Sequence, residues 1–175
     1  ICAYRHGWRQ SHEQSAFDMR LEHDARAIDF VFASPDQYLK VEFQGGEPIL
    51  NFGLVRWIVE RVKGRNVTAQ RKIAFVIATN LALITDEVLD FWKERGVLIS
   101  TSLDGPRELH NANRPRPGND SYERTIDGIG RVSEWLGVDQ VSALMTTTRA
   151  SLSPPEAIVD EYVRQGFHSL FLRSL

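Results

Sequence analysis

An α/β fold assembled from parallel βα units is what this sequence predicts. Short β-branched or aromatic runs alternate with longer segments of helical period, and the strand-like runs end in polar or glycine-rich loops. At roughly 30 residues per unit, scaled from an eight-unit barrel, the 175 residues give about six units. A partial six-unit barrel is the reading, and an open doubly wound sheet is the alternative.

The elements follow in order. A helix is expected over about Arg20 to Ala33, where Leu21, Ala25, Ile28 and Phe32 recur at helical spacing. The strand Leu39-Lys-Val-Glu-Phe precedes a helix over Phe52 to Val62, with Phe52, Val55, Ile58, Val59 and Val62 on one face. Lys72-Ile-Ala-Phe-Val-Ile-Ala precedes a helix capped by Thr85 and stopped by Gly96. Val97 to Leu103 is a strand followed by a long polar loop and a helix from about Tyr122 to Leu136. Gln140 to Thr147 is the next strand, and Ser153-Pro-Pro-Glu opens the helix after it, with Ser153 as the cap and Pro154 in the first turn. Ser169-Leu-Phe-Leu begins a further strand. Five helices and five strands call for a sixth strand before Ile1. The chain starts without Met and stops at Leu175 inside an apolar run, so residues 1–175 are expected to be one core domain cut at both ends.

Composition narrows the function classes. With 21 Lys plus Arg against 23 Asp plus Glu, the formal net charge is −2, which removes the electrostatic case for a nucleic-acid partner. At 42% hydrophobic and 25% charged residues, global disorder is excluded. A single cysteine rules out an internal disulfide framework and suits a reducing compartment. No apolar run approaches the roughly 18 to 20 residues that span a bilayer, and the opening stretch has no signal-peptide core, so the protein is read as cytoplasmic with no membrane partner.

The carboxyl ends of parallel strands are where βα loops gather the chemistry. These ends carry Gln44-Gly45-Gly46-Glu47-Pro48, Thr79-Asn80, Ser102-Leu-Asp104-Gly105 and Thr146-Thr-Thr-Arg149. Paired glycines let backbone groups approach a ligand, and the carboxylate of Glu47 suits an ammonium; a tight turn with a helix-capping Glu is the plainer alternative. Ser102 and Asp104 flank Leu103, so strand alternation points both to one side, where they suit a ribose; a turn cap is again the alternative. Arg114 and Arg116, spaced by prolines, form a stiff loop able to clamp a carboxylate or phosphate, or simply solvated. Cys2, His6 and His12 match no common zinc module. Gly128 and Gly130 lie inside a helical pattern with Ser133 in the third position, so they are not a dinucleotide fingerprint.

These strings carry a resemblance. Cys2-Ala-Tyr, Gly-Gly-Glu-Pro, Thr79-Asn80 and Ser-Leu-Asp-Gly are similar to the radical SAM superfamily. Val41-Glu-Phe-Gln-Gly-Gly-Glu-Pro-Ile-Leu-Asn-Phe, Ser100-Thr-Ser-Leu-Asp-Gly-Pro and His110-Asn-Ala-Asn-Arg-Pro-Arg-Pro-Gly resemble its peptide- and protein-modifying maturases. Among these the match is nearest to the maturase of the His-Xaa-Ser system, a relative of the anaerobic sulfatase-maturating enzymes.

The resemblance implies a partial (β/α)6 barrel, a 4Fe-4S cluster held by a C-x3-C-x2-C loop, and S-adenosylmethionine bound at the open iron. It implies reductive cleavage to a 5′-deoxyadenosyl radical, a ribosomally made peptide or protein as substrate, and an electron donor. Carried over by position, Cys2 is a cluster ligand and Tyr4 stands beside the adenine. Gly45, Gly46, Glu47 and Pro48 hold the methionine ammonium and Ser102 approaches the ribose, with Asn80, Asp104 and Arg149 as further cofactor-binding residues. The sequence departs from the pattern at the cluster. Cys2 aligns with the middle cysteine, the first falls before Ile1, and Arg5 occupies the third position, where a guanidinium stays protonated and donates only. A catalytically inactive homologue that binds peptide or S-adenosylmethionine is therefore the competing expectation.

Overall fold

The computed structural model describes residues 21–152 and 155–174. The expected strands are β1 (Tyr38–Phe43), β2 (Lys72–Ala78), β3 (Val97–Ser102), β4 (Val141–Thr147) and β5 (Phe171–Ser174). They lie in chain order, β1-β2-β3-β4-β5, with β1 parallel to β2 and β4 parallel to both β3 and β5. Period-two patterning explains their faces. Val41 and Phe43, Phe75 and Ile77, Val97 and Ile99, and Val141, Ala143 and Met145 are buried, while the residues between them are half-buried or exposed.

The helices are α1 (Leu21–Ala33), α2 (Phe52–Ala69), α3 (Asp86–Arg95), α4 (Arg107–Asn113), α5 (Ser121–Leu136) and α6 (Pro155–Arg164). Thr85 and Gly96 bound α3 as the sequence predicts. The Thr85 hydroxyl accepts the Val88 N–H at 3.3 Å, and Gly96 adopts the left-handed conformation at φ 65°. The expectation that α2 ends at Val62 is corrected: the helix continues to Ala69. Its buried stripe does stop at Val62, but Gln70 closes the helix in the left-handed region and Asn66 accepts the Arg71 N–H at 2.9 Å. A second correction is α4, which lies within the expected polar loop. Its buried side chains are His110 and Asn111, so no apolar period announces it. Ser153 and Pro154, the expected start of the last helix, lie outside the described residues.

The chain divides into two compact units, one reaching to Thr79 and including Thr85–Leu98, the other comprising Asn80–Ile84 and Ile99 onward. In the first, an edge-on contact of Phe52 with Phe91, at 5.5 Å between ring centroids, joins α2 to α3. Ion pairs Arg56–Glu87 and Arg95–Glu60, each at 2.6 Å, flank it. The Arg71 guanidinium donates to the carbonyls of Phe32 and Ser34, placing a cation at the end of α1, which has no basic residue in its own last turn.

In the second unit, the Asn80–Ile84 loop is seated on α5. Arg131 donates to the Ile84 carbonyl at 3.0 Å, and buried Leu81 takes the left-handed conformation at φ 62°. Gly128 makes this approach possible, because a Cβ there would stand 2.6 Å from the Leu81 Cβ. Gly128→Ala is expected to cost about 1–3 kcal/mol, read as a lowered Tm, through overpacking against that loop. Most of the loss should vanish in a Leu81→Gly background, which removes both the clashing atom and the strained side chain.

Candidate functional site

In the first unit, β1 runs into Gln44-Gly45-Gly46-Glu47-Pro48, and a 3-10 turn over Pro48–Asn51 follows. Glu47 is its N-cap. The carboxylate Oε1 accepts the Ile49 N–H at 3.1 Å and the Thr79 hydroxyl at 2.8 Å. Both side chains are buried, so this contact fixes the glycine loop after β1 to the residue that follows β2. The parallel register of Phe43 with Ile77 places Glu47 and Thr79 at the same end of the strand pair. The capping alternative raised by the sequence is thus realised in the geometry. Gly45 is half-buried and Gly46 exposed.

On the more open face of β1, Lys40, Glu42 and Gln44 follow one another at period two. Glu42 accepts from Lys40 Nζ at 2.6 Å and from the Gln44 amide. Although partial burial works against ionisation, these two donors hold its carboxyl below the usual range. The alternation Lys-Val-Glu-Phe-Gln in the sequence is the signal for this polar row.

In the second unit, Ser102 is the last residue of β3, is half-buried and pairs in register with Leu144. Asp104 has no exposed surface. Arg114 grips its carboxylate through two nitrogens, Nε to Oδ2 at 2.7 Å and Nη2 to Oδ1 at 3.1 Å. The Thr146 N–H donates to Oδ1 at 2.9 Å. Arg114 therefore does clamp a carboxylate, and it is one from this chain. Arg116 pairs with Asp120 at 2.9 Å.

Helix α4 supplies the rest of this cluster. The Asp104 N–H donates to His110 Nδ1 at 3.2 Å, which leaves the imidazole proton on Nε2, facing the Thr125 hydroxyl at 3.3 Å. Burial pushes the imidazole down from 6.5 to about 4, against the pull of the Asp104 charge. Asn111 accepts from the Ser121 hydroxyl at 2.7 Å and the Tyr122 N–H at 2.8 Å, so it caps α5 from a distance. Asn113 accepts from the Thr148 hydroxyl at 3.2 Å. Tyr162 donates its hydroxyl to the Leu103 carbonyl at 2.6 Å, and burial raises its phenol. Thr146 and His110 each open one of the strings quoted above and Tyr162 lies outside them, and nothing in local spacing connects any of the three to Asp104.

Asn80 is exposed, and its Oδ1 accepts the Ala82 N–H at 2.9 Å, an Asx turn that shapes the loop after β2. Arg149 is exposed in a 3-10 turn over Arg149–Leu152 that follows β4. Cys2 and Tyr4, with His6 and His12, lie outside the described residues. Among the described residues no group of His, Cys, Asp and Glu is placed to hold a metal ion, and no helix is long and apolar enough to cross a membrane.

Because His110 is neutral in the fold and takes up a proton freely when unfolded, stability is expected to fall as pH drops from 6.5 toward 4 and to level off below. Thermal melts across that window check this, and His110→Gln should flatten the slope.

Comparison with known proteins agrees with this architecture. The chain is 33% identical over 127 residues to an uncharacterized protein of Methanothermobacter thermautotrophicus, covering 72% of this chain and 46% of that one. It is 35% identical over 85 residues to a cysteine-type anaerobic sulfatase-maturating enzyme of Clostridium perfringens, covering 48% and 23%. The chain spans less than half the length of these curated relatives. Among solved structures, native anSMEcpe with bound AdoMet and Kp18Cys peptide matches with a TM-score of 0.79 at 22% identity, over 99% of this chain and 48% of that chain. That likeness establishes the fold as a partial α/β barrel of parallel strands and sets aside the open doubly wound alternative. The radical SAM superfamily model matches residues 2–150, and the chain accordingly belongs to the radical SAM superfamily, with relatives among the sulfatase-maturating enzymes.

Proposed function

We propose that this chain is the core of a peptide- or protein-modifying maturase that binds S-adenosylmethionine. The observation that carries this reading is the superfamily match over residues 2–150, and the sulfatase-maturating relatives narrow it to maturases. A ribosomally made peptide or protein is the substrate class, by analogy with the neighbour that carries bound AdoMet and a peptide. In the first unit, the backbone of Gly45 and Gly46 would take the methionine ammonium, while Glu47, capped onto Ile49 and Thr79, holds that loop in place. In the second, Ser102 would approach the ribose. Tyr4 would stand beside the adenine, with Asn80 and Arg149 as further contacts. An electron donor and a cytoplasmic setting belong to the same proposal.

The donor set of these 175 residues does not fit a 4Fe-4S cluster held by three cysteines. The chain contains one cysteine, Cys2, and Arg5 offers a guanidinium that has no lone pair for iron. Arg5 favours a second reading, a homologue that binds S-adenosylmethionine or a peptide without cleaving the cofactor.

Anaerobic reconstitution with iron and sulfide separates the two readings. The chain as it stands is compared with an Arg5→Cys version extended at its N-terminus by a further cysteine four residues before Cys2. If only the extended version gains the cluster absorption and EPR signals and forms 5′-deoxyadenosine with S-adenosylmethionine and reductant, the maturase reading holds and the unmodified chain is inactive. If both fold and neither forms 5′-deoxyadenosine, the binding-protein reading replaces it.

A further inference from the structure

The parallel ladder between β3 and β4 is interrupted in a specific way. Ser102 pairs with Leu144, and the Leu103 N–H donates to the Leu144 carbonyl at 3.0 Å. Continued in that register, the next bond of a parallel pair runs from the Thr146 N–H to the Leu103 carbonyl. Neither group makes it. The Leu103 carbonyl instead accepts the Tyr162 hydroxyl at 2.6 Å, and the Thr146 N–H donates to Asp104 Oδ1 at 2.9 Å. A side-chain carboxylate thus stands in for a backbone carbonyl just where β3 leaves β4.

Both backbone groups freed at the departure point are satisfied by this exchange. Asp104 has no exposed surface, and Arg114, the Thr146 N–H and the His110-bound backbone N–H account for its carboxylate and its amide. A carboxylate so enclosed has no face left for a ligand. Ser102 is the last residue of β3, half-buried, and directly precedes both the last ladder bond at Leu103 and the substitute bond at Asp104.

We propose that Asp104 is a positioning residue: clamped by Arg114 and replacing the Leu103 carbonyl toward Thr146, it fixes Ser102 at the end of β3 for contact with the cofactor's ribose and touches no ligand itself. The proposal rests on the reading of Ser102 as a ribose contact.

The test is S-adenosylmethionine binding by the full chain, measured by equilibrium dialysis for wild type, Ser102→Ala, Asp104→Asn and the double variant. Asp104→Asn keeps an oxygen for Thr146 but loses the charge pair. It is expected to weaken binding about tenfold alone and by less than about twofold in the Ser102→Ala background. Equal losses in both backgrounds, or no loss in either, overturn the proposal, because Asp104 then acts independently of Ser102 or not at all. Should Asp104→Asn fail to melt cooperatively, Arg114→Gln enters the same cycle with the same expected non-additivity. If wild type binds no S-adenosylmethionine, the functional reading fails instead, and amide hydrogen exchange at Thr146 decides the substitute bond. Faster exchange in Asp104→Ala than in Asp104→Asn supports it, and equal rates overturn it.

Discussion

A carboxylate removed from water loses its hydration and must recover it from fixed donors, and the second unit is organised around meeting that need at Asp104. Arg114 at the end of α4, the Thr146 backbone at the end of β4, and His110 against the Asp104 amide converge there. The ion pair need not add net stability, since burying two charges costs much of what their attraction returns. Its consequence is geometric. The charge pair and the Thr146 bond together tie the ends of β3, α4 and β4 to one another.

Helix α4 is short and its composition is polar, yet it connects more of the second unit than its length suggests. His110 reaches back to the residue after the end of β3, Asn111 caps α5, and Asn113 reaches the segment after β4. A seven-residue helix of this kind contributes little intrinsic helical stability. It persists because its side chains satisfy backbone groups that would otherwise be buried without partners.

The first unit solves a similar problem with a different pair. Glu47 and Thr79 are buried together, and that contact ties the glycine loop between β1 and the first 3-10 turn to the residue after β2. At the opposite end of the same strands, Arg71 satisfies the carbonyls at the end of α1. Each end of β2 thus carries a polar anchor, while the span between them is secured by Phe75 and Ile77.

The order of strands and helices was legible in the sequence because periodicity is a local property. Phe75 and Ile77 on β2, the cap at Thr85 and the stop at Gly96 each depend on neighbours within a few residues. The strand-end strings were legible for the same reason, and they carried the family resemblance as well. What the carboxyl-end residues do with their polar atoms was decided only in three dimensions. Asp104 meets Thr146 across 42 positions of sequence, and Glu47 meets Thr79 across 32. Nothing in residue spacing says whether a carboxylate will face a ligand or a backbone N–H from another strand. That choice belongs to tertiary packing, because a buried charge takes whichever donors the folded chain brings within reach.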